Sequence, residues 1–242
     1  FSACEVKKLK GLSSAELTFL PVARRFWVML INSAVLCKDK NANYTNWVFY
    51  SDDFGGNWNV LGGADVPPVP SGGDEPKVEE LPDGSILLSS RIHGGRFYNI
   101  YNFTDTKTAA GSWGTAVSSN ANNSGVVAVN NSTNGEVMCL PVTRKEDGKD
   151  MFLLLQSVPF GSGRANVGIY YKELASLEDF LNPTNIAKDW DGRHQASHIG
   201  SAYSTMTWQA DNKVGFLYEE ETYGAAYTIV YKNYSIEQIT DS

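Results

Sequence analysis

The chain has 242 residues, with 20 basic and 27 acidic side chains and a formal net charge of −7 at pH 7. This acidic balance disfavours a general nucleic-acid surface, so a bound anion would need a local cluster of arginines. No apolar run is long enough to cross a membrane, so no membrane span is expected. The length suits one large domain or two small ones.

The residue types that bind metals show no ligand pattern. The three cysteines are widely spaced, and the three histidines have no ligand spacing with one another or with cysteine. The glycine pairs lack the strand, loop and helix that surround a phosphate-binding loop. We therefore expect neither a metal nor a cofactor.

Short apolar or alternating runs separated by turn residues predict an all-β fold. Residues 174–189 are the only segment that favours a helix, with Ser176 in the capping position. The predicted strands, in chain order, are 17–20, 26–31, 34–37, 46–51, 77–81, 85–90, 96–103, 125–130, 136–141, 151–157, 165–172, 201–209, 214–218 and 226–231.

Turn residues divide these strands into groups. Pro82, Asp83 and Gly84 separate one pair of strands, and Asp211, Asn212 and Lys213 separate another. Groups of about four strands, at roughly 40–50 residues a group, favour the blades of a β-propeller. A sandwich with long loops would give a similar number of strands.

Residues 51–58 have the form S-x-D-x-G-x-x-W, with Ser51, Asp53, Gly55 and Trp58 at the fixed positions. This pattern predicts a tight hairpin turn. The Asp53 carboxylate can accept backbone N–H bonds, Gly55 can adopt a positive φ, and Trp58 can pack back over the turn. The pattern resembles the Asp-box turn of propellers, and this resemblance implies a folding element at the outer rim, remote from any chemistry.

Five side chains are candidates for chemistry. Tyr203 begins one strand of the 201–218 hairpin, and Glu219 directly follows the other. Glu75 precedes a proline at the start of a strand, and Arg91 ends the next strand. Arg164 lies in a glycine-rich loop before a strand. Taken singly, Tyr203 fits a half-buried aromatic, the arginines fit surface ion pairs, and the acids fit solvated positions.

Together, these residues and the 51–58 turn resemble the bacterial exo-sialidases of the Asp-box family, six-bladed propellers of the kind found in Bacteroides-like organisms. The segment GDEPKVEELPDGSILLSSR carries Glu75 and Arg91, the loop SVPFGSGRAN carries Arg164, SAYSTM carries Tyr203, and GFLYEE carries Glu219. The separation from Glu75 to Arg91 equals that from Tyr203 to Glu219, as expected for equivalent steps in two blades.

The resemblance implies a sialidase-type β-propeller with six blades in the full protein, of which about four are traceable here. It implies hydrolysis of terminal α-ketosidically linked sialic acids with retention, and sialylated glycans as substrates. Tyr203 would be the nucleophile and Glu75 its base, while Arg91 and Arg164 would bind the substrate carboxylate. Glu219 would orient a further arginine.

The sequence departs from this family in one respect. The family uses three arginines and a separate aspartate as general acid, and no segment before Ser51 resembles the first arginine or that aspartate. Residues 1–242 are therefore expected to be the C-terminal portion of a catalytic propeller that works with an upstream segment, in a secreted, periplasmic or cell-surface protein. A carbohydrate-binding propeller without hydrolysis, or a scaffold propeller, remains the alternative.

Overall fold

The computed structural model describes residues 6–8, 31–38, 43–221 and 227–241, which form four antiparallel sheets. The first sheet has the order β1-β2-β3-β4 and the second β5-β6-β7-β8, with β9 paired to β7. The first contains β1 (Val6–Lys8), β2 (Ile31–Lys38), β3 (Tyr44–Ser51) and β4 (Asn59–Val60). The second contains β5 (Asp74–Glu80), β6 (Ile86–Ile92), β7 (Gly95–Asp105), β8 (Ala110–Trp113) and β9 (Val117–Ser119).

The other two sheets follow in chain order, with neighbouring strands paired in sequence. The third contains β10 (Val137–Thr143), β11 (Asp150–Pro159), β12 (Val167–Leu174) and β13 (Gly192–Gln195). The fourth contains β14 (Ser201–Trp208), β15 (Val214–Glu220) and β16 (Thr228–Tyr234). The prediction of an all-β fold is confirmed.

Apolar side chains fill the space between successive sheets. Val48 and Tyr101 belong to a cluster that joins the first sheet to the second. A second cluster joins the second sheet to the third, and a third cluster joins the third to the fourth. On β11, Leu154 belongs to one of these clusters and its neighbours Leu153 and Leu155 to the other. The continuous apolar run of this strand thus reflects a sheet buried on both faces.

The first strands of the later sheets lie side by side. β5 contacts β2 and β10, and β10 also contacts β14. Because these sheets are antiparallel, the start of each first strand lies beside the end of the second strand. Residues at these positions in the second, third and fourth sheets therefore meet at one end of the stack, as around the axis of a β-propeller.

The helices differ from the prediction. Instead of one helix over 174–189, the structure has a 3₁₀ turn at Leu177–Leu181 and then α1 (Pro183–Ala187). Proline cannot continue a preceding helix, and Asn182 caps the new one with its side chain. A second helix, α2 (Ile236–Thr240), was not predicted, although Ser235 and Gln238 form the capping box that starts it.

Three predicted strands need comment. Residues 125–130 do not form a strand, because only Ala128 pairs with another strand segment, in an isolated bridge to Gly94. The buried Val126 in this segment packs in the core without ladder pairing. The strand at 17–20 and most of that at 26–31 lie outside the described residues.

The 51–58 turn joins β3 to β4. The Asp53 carboxylate accepts hydrogen bonds from the Asn57 backbone N–H (2.7 Å) and the Ser51 hydroxyl (2.8 Å). Gly55 has φ +90°, where a side chain would be strained, and Trp58 packs against it. These hydrogen bonds lower the pKa of Asp53 from the ordinary 3.8 to about 2.

Replacing Asp53 with alanine is expected to lower the melting temperature at neutral pH. A depressed folded-state pKa stabilises the protein fully above the unfolded value of 3.8 and loses that effect as the pH falls through about 2. Thermal unfolding of wild type and variant from pH 7 to 2 should therefore converge at the acidic end. Asp52→Ala, at an exposed neighbour, is the control, and a difference that persists unchanged at pH 2 would contradict the assignment.

Candidate active site

The five candidate side chains occupy equivalent edges of three sheets. Glu75 and Tyr203 lie near the starts of β5 and β14, the first strands of their sheets. Arg91 and Glu219 lie near the ends of the second strands, β6 and β15. Arg164 lies in the loop after β11, the second strand of the third sheet. The stacking of the sheets therefore brings all five to one end of the molecule.

Glu75 and Tyr203 both lie at irregularities in their strands. Asp74 pairs with Arg91 and Pro76 with Ser90, which leaves Glu75 as an extra residue on β5. On β14 the pairing also shifts by one residue, between Ser201 and Ser204. A bulge of this kind breaks the alternation of side chains and redirects one of them. The same device thus aims the glutamate and the tyrosine into the site.

Glu75, Tyr203 and Arg91 form a closed triangle of hydrogen bonds. The Tyr203 hydroxyl donates to Glu75 Oε1 at 3.2 Å, and Arg91 Nη1 donates to Glu75 Oε2 at 2.7 Å and to the Tyr203 oxygen at 3.1 Å. The Arg91 and Glu75 side chains are only 16% and 14% exposed. A carboxylate next to the phenol can accept its proton, and the guanidinium can stabilise the phenolate that results.

Further contacts fix the orientation of Arg91. Its Nε donates to the Ser132 hydroxyl at 2.7 Å and lies 3.5 Å from Asp74 Oδ2. Burial lowers the pKa of Arg91, but the hydrogen bond and charge of Glu75, with the charge of Asp74, outweigh it and raise the pKa overall. Asp74 and Ser132 were not predicted from the sequence. Asp74 adjoins Glu75, but no local pattern marks Ser132.

Arg164 lies over the face of the nucleophile candidate. Its guanidinium carbon is 5.2 Å from the centre of the Tyr203 ring, a cation–π contact. The Arg164 carbonyl accepts from the Ser201 N–H, and Ala165 bridges to Gly200, so the loop is tied to the start of β14. Arg164 forms no ion pair with a residue that the structure describes.

The three consecutive acids at 219–221 have different surroundings. Glu219 Oε2 accepts from the Tyr203 backbone N–H at 3.3 Å, whereas Glu220 Oε1 accepts from the Ser197 hydroxyl. Glu221 is exposed and packs against Gly200. Glu219 is thus the acid that contacts the tyrosine. Within the described ranges it forms no ion pair.

A polar bridge that the sequence did not reveal joins three sheets beside the site. Glu136 Oε2 accepts from Lys77 Nζ at 2.9 Å and from the Thr205 hydroxyl at 2.6 Å. Lys77 is two residues after Glu75, and Thr205 is two residues after Tyr203. The bridge therefore connects the strand of the glutamate to the strand of the tyrosine. Its members are too far apart in sequence to form a recognisable pattern.

The described residues contain neither a cluster of metal-binding side chains nor a membrane-spanning helix. Within the described ranges, no three His, Cys, Asp or Glu side chains come close enough to bind a metal ion. None of the helices in those ranges has the length and hydropathy to span a bilayer.

Solved structures of sialidases share this fold. The NanB sialidase of Streptococcus pneumoniae superposes with a TM-score of 0.62 at 17% identity, over 88% of this chain and 30% of its own. The intramolecular trans-sialidase of Ruminococcus gnavus gives 0.60 at 22%, over 86% and 41%. The leech intramolecular trans-sialidase gives 0.60 at 21%, over 87% and 30%. No family model and no curated protein matches the chain.

These likenesses define the class of fold. The chain has the sialidase-type β-propeller fold, with four sheets arranged as blades. It spans about 30% of the length of the NanB structure. The likeness therefore establishes the fold, and the activity, substrate and partners are matters for proposal.

Proposed function

We propose that the protein is an exo-sialidase that removes terminal α-ketosidically linked sialic acids with retention of configuration. The observation that carries this proposal is the triangle of Tyr203, Glu75 and Arg91. A phenol hydroxyl donates to a half-buried carboxylate, and one guanidinium contacts both groups. This arrangement supports a tyrosine that acts as a nucleophile, since an adjacent base is what activates a weak nucleophile.

The chemistry of the substrate explains a tyrosine at this position. Sialic acid bears a carboxylate on its anomeric carbon, which would repel a carboxylate nucleophile, and sialidases are the tyrosine exception among glycosidases. In the proposed first step Glu75 takes the Tyr203 proton while the phenolate oxygen forms a bond to the anomeric carbon. The bond to the leaving group breaks as the general acid proposed below protonates the departing oxygen, and a glycosyl-tyrosine intermediate results. Water then attacks the anomeric carbon and gives its proton to the conjugate base of that acid, while the bond to Tyr203 breaks and Glu75 returns the proton to the phenolate oxygen.

Arg91 and Arg164 are the proposed ligands of the substrate carboxylate. Arginine binds carboxylates through paired, charge-assisted hydrogen bonds that lysine does not reproduce. Arg91 donates from Nε to Ser132 and from Nη1 to Glu75 and Tyr203. Its Nη2 has no hydrogen bond to a described residue. Arg164 has no ion-pair partner in the described part of the chain, and its guanidinium lies over the Tyr203 ring.

We also propose that a segment outside the described residues completes the site with a further arginine opposite Glu219 and an aspartate as acid. The Glu219 carboxylate has no basic partner among the described residues, although it lies beside Tyr203. In addition, Leu217, Ile229 and Tyr231 expose apolar side chains from the fourth sheet. The cross-strand pairing of Leu217 with Tyr231 places two of them together, as expected of a face that another sheet covers.

Sialylated glycans are carried by secreted and surface glycoconjugates, so we propose that the protein is secreted, periplasmic or attached to the cell surface.

We propose that the 51–58 turn is an Asp-box at the outer rim of the propeller, away from the active site. It contributes to folding and has no part in the reaction.

The proposed function is tested by release of sialic acid from an aryl sialoside. Two proteins are compared, residues 1–242 alone and the same residues joined to any segment encoded upstream. We expect retained configuration in the first product, and a rate at least about 10²-fold higher for the complete form, since a general acid contributes that much. No release by either form would overturn the proposal and favour a carbohydrate-binding propeller. Equal rates would show that Glu219 needs no further arginine.

A further inference from the structure

Four consecutive polar residues, Asn131, Ser132, Thr133 and Asn134, cross from the second sheet to the third directly behind the site. We call residues 131–134 the strap. The strap lies between β9 and β10 and has no strand pairing of its own. Even so, Asn131, Thr133 and Asn134 are 6%, 2% and 7% exposed. Burial of polar side chains is costly unless hydrogen bonds compensate. The Asn131 amide nitrogen and Asn134 Oδ1 have such bonds, whereas Asn131 Oδ1 and Thr133 Oγ1 have no partner among the described residues.

The first two strap residues hold the two arginines. The Ser132 hydroxyl accepts from Arg91 Nε at 2.7 Å. The Asn131 side-chain amide donates to the carbonyls of Gly163 at 2.8 Å and Gly161 at 3.3 Å, in the loop that carries Arg164. Asn131 and Ser132 together therefore contact the Arg91 guanidinium and the backbone carbonyls of the loop just before Arg164.

The last two strap residues connect to the tyrosine strand and to the core. Asn134 Oδ1 accepts from the backbone N–H of Ser204, the residue after Tyr203, at 3.3 Å. The Thr133 carbonyl accepts from Arg96 Nη1 at 3.1 Å. Arg96 is fully buried beneath the site, and burial lowers its pKa to about 10, so it remains charged at neutral pH. A hydrogen bond from a buried, charged arginine thus holds the strap backbone at Thr133.

We propose that the strap is the positioning element of the site, which sets the separation between Arg91, Arg164 and the reacting tyrosine. These three residues belong to three different sheets, and each sheet could shift relative to the others. The strap contacts all three sheets within four residues, so a shift of any one sheet would break one of these hydrogen bonds. Two arginines bind one carboxylate only at a fixed spacing, so this spacing determines how well the anion is held.

This inference rests on the proposed function for its catalytic consequence, but its physical content is tested without turnover. The Arg91 Nε–H proton of the full chain is observed by NMR and identified by its loss in Arg91→Lys. In Ser132→Ala its exchange with water should accelerate about tenfold, as expected when a charged hydrogen bond is lost. Ser132→Thr keeps the hydroxyl and should restore slow exchange. An unchanged signal in Ser132→Ala, or a failure of threonine to restore it, would overturn the proposal.

A second variant tests the other end of the strap. Asn131→Ala should raise hydrogen exchange of the backbone amides at 161–166, while Asn122→Ala, at an exposed asparagine before the strap, should not. In the form that releases sialic acid, Asn131→Ala should raise KM about tenfold with little change in kcat, because it disturbs binding of the carboxylate in ground and transition states alike. Unchanged exchange and KM in Asn131→Ala would contradict the positioning role.

The two hypotheses fail in different ways. If the wild-type protein releases no sialic acid, the proposed function is wrong, and the NMR and hydrogen-exchange results still decide whether the strap positions the arginines. If the wild type is active and the strap variants match it in hydrogen exchange and in kinetics, the positioning role of the strap is wrong and the proposed function stands.

Discussion

Changing Tyr203 to phenylalanine is expected to lower sialic-acid release by at least about 10²-fold, because the variant loses both the oxygen that bonds to the anomeric carbon and its proton transfer to Glu75. The change removes the hydroxyl that donates to Glu75 Oε1 and accepts from Arg91 Nη1. The ring remains, so the contact with Arg164 remains as well. Binding of a sialic-acid analogue, measured by calorimetry, should therefore be nearly unchanged while kcat collapses.

The control for this variant is Tyr171→Phe, which removes a hydroxyl that donates to the Thr240 carbonyl in α2 and should leave kcat unaffected. A covalent readout supplements the kinetics. A 2,3-difluorosialic acid should add its mass to the peptide that contains Tyr203 in the wild type and not in the phenylalanine variant. Undiminished turnover in Tyr203→Phe would rule out the role proposed for this residue.

Replacing Gly135 with alanine is expected to reduce the free energy of unfolding by about 3 kcal/mol, the upper end for an overpacked site. A Cβ at this position would lie 1.8 Å from the Ser157 carbonyl oxygen, a backbone atom that cannot rotate away. Gly135 joins the strap to Glu136, so the displaced backbone should disturb both. For a chain of this size, the melting temperature should fall by about 6–12 °C.

Gly114→Ala provides the matched control for this stability measurement. Its Cβ would meet side-chain atoms of Asn99 and Pro183 at 3.2 and 3.3 Å, contacts that relax by a few tenths of an ångström. We expect a small change in melting temperature there. Equal effects of the two variants would show that close packing against the Ser157 carbonyl is not what requires glycine at position 135.

Much of the fold could be predicted because the signals are local. The turn at Pro82, Asp83 and Gly84 and the turn at Asp211, Asn212 and Lys213 separate strands that the structure contains. In both turns one residue has a positive φ, Gly84 at 86° and Asn212 at 58°. Turn chemistry of this kind acts within a few residues, so a single sequence displays it.

The parts that could not be predicted depend on contacts distant in sequence. The prediction of a helix over 174–189 was wrong because it did not take account of Asn182 and Pro183, where the 3₁₀ turn ends and α1 begins. The segment 131–134 has the form of a glycosylation sequon or a polar loop in the sequence. Only the structure shows that Asn131 and Ser132 are used by residues more than 30 positions away.

The bulges at Glu75 and Tyr203 are a further case. The equal spacing in the two hairpins indicated equivalent steps, but the extra residue in each first strand has no composition signal. The catalytic roles of the five candidate side chains remain predictions, which the variants above are designed to test. The structure places Glu75, Arg91, Arg164, Tyr203 and Glu219 at one end of the sheet stack.

The hydrogen bond between Tyr203 and Glu75 joins residues 128 positions apart in the chain. Each sheet closes its own strands over far shorter loops, whereas this contact requires three sheets to be complete and docked. No single sheet therefore contains the reacting pair. An exchange of one sheet between related propellers would transfer only Tyr203 or only Glu75. The recombined protein would remain active only if both parents packed neighbouring sheets at the same angle to each other.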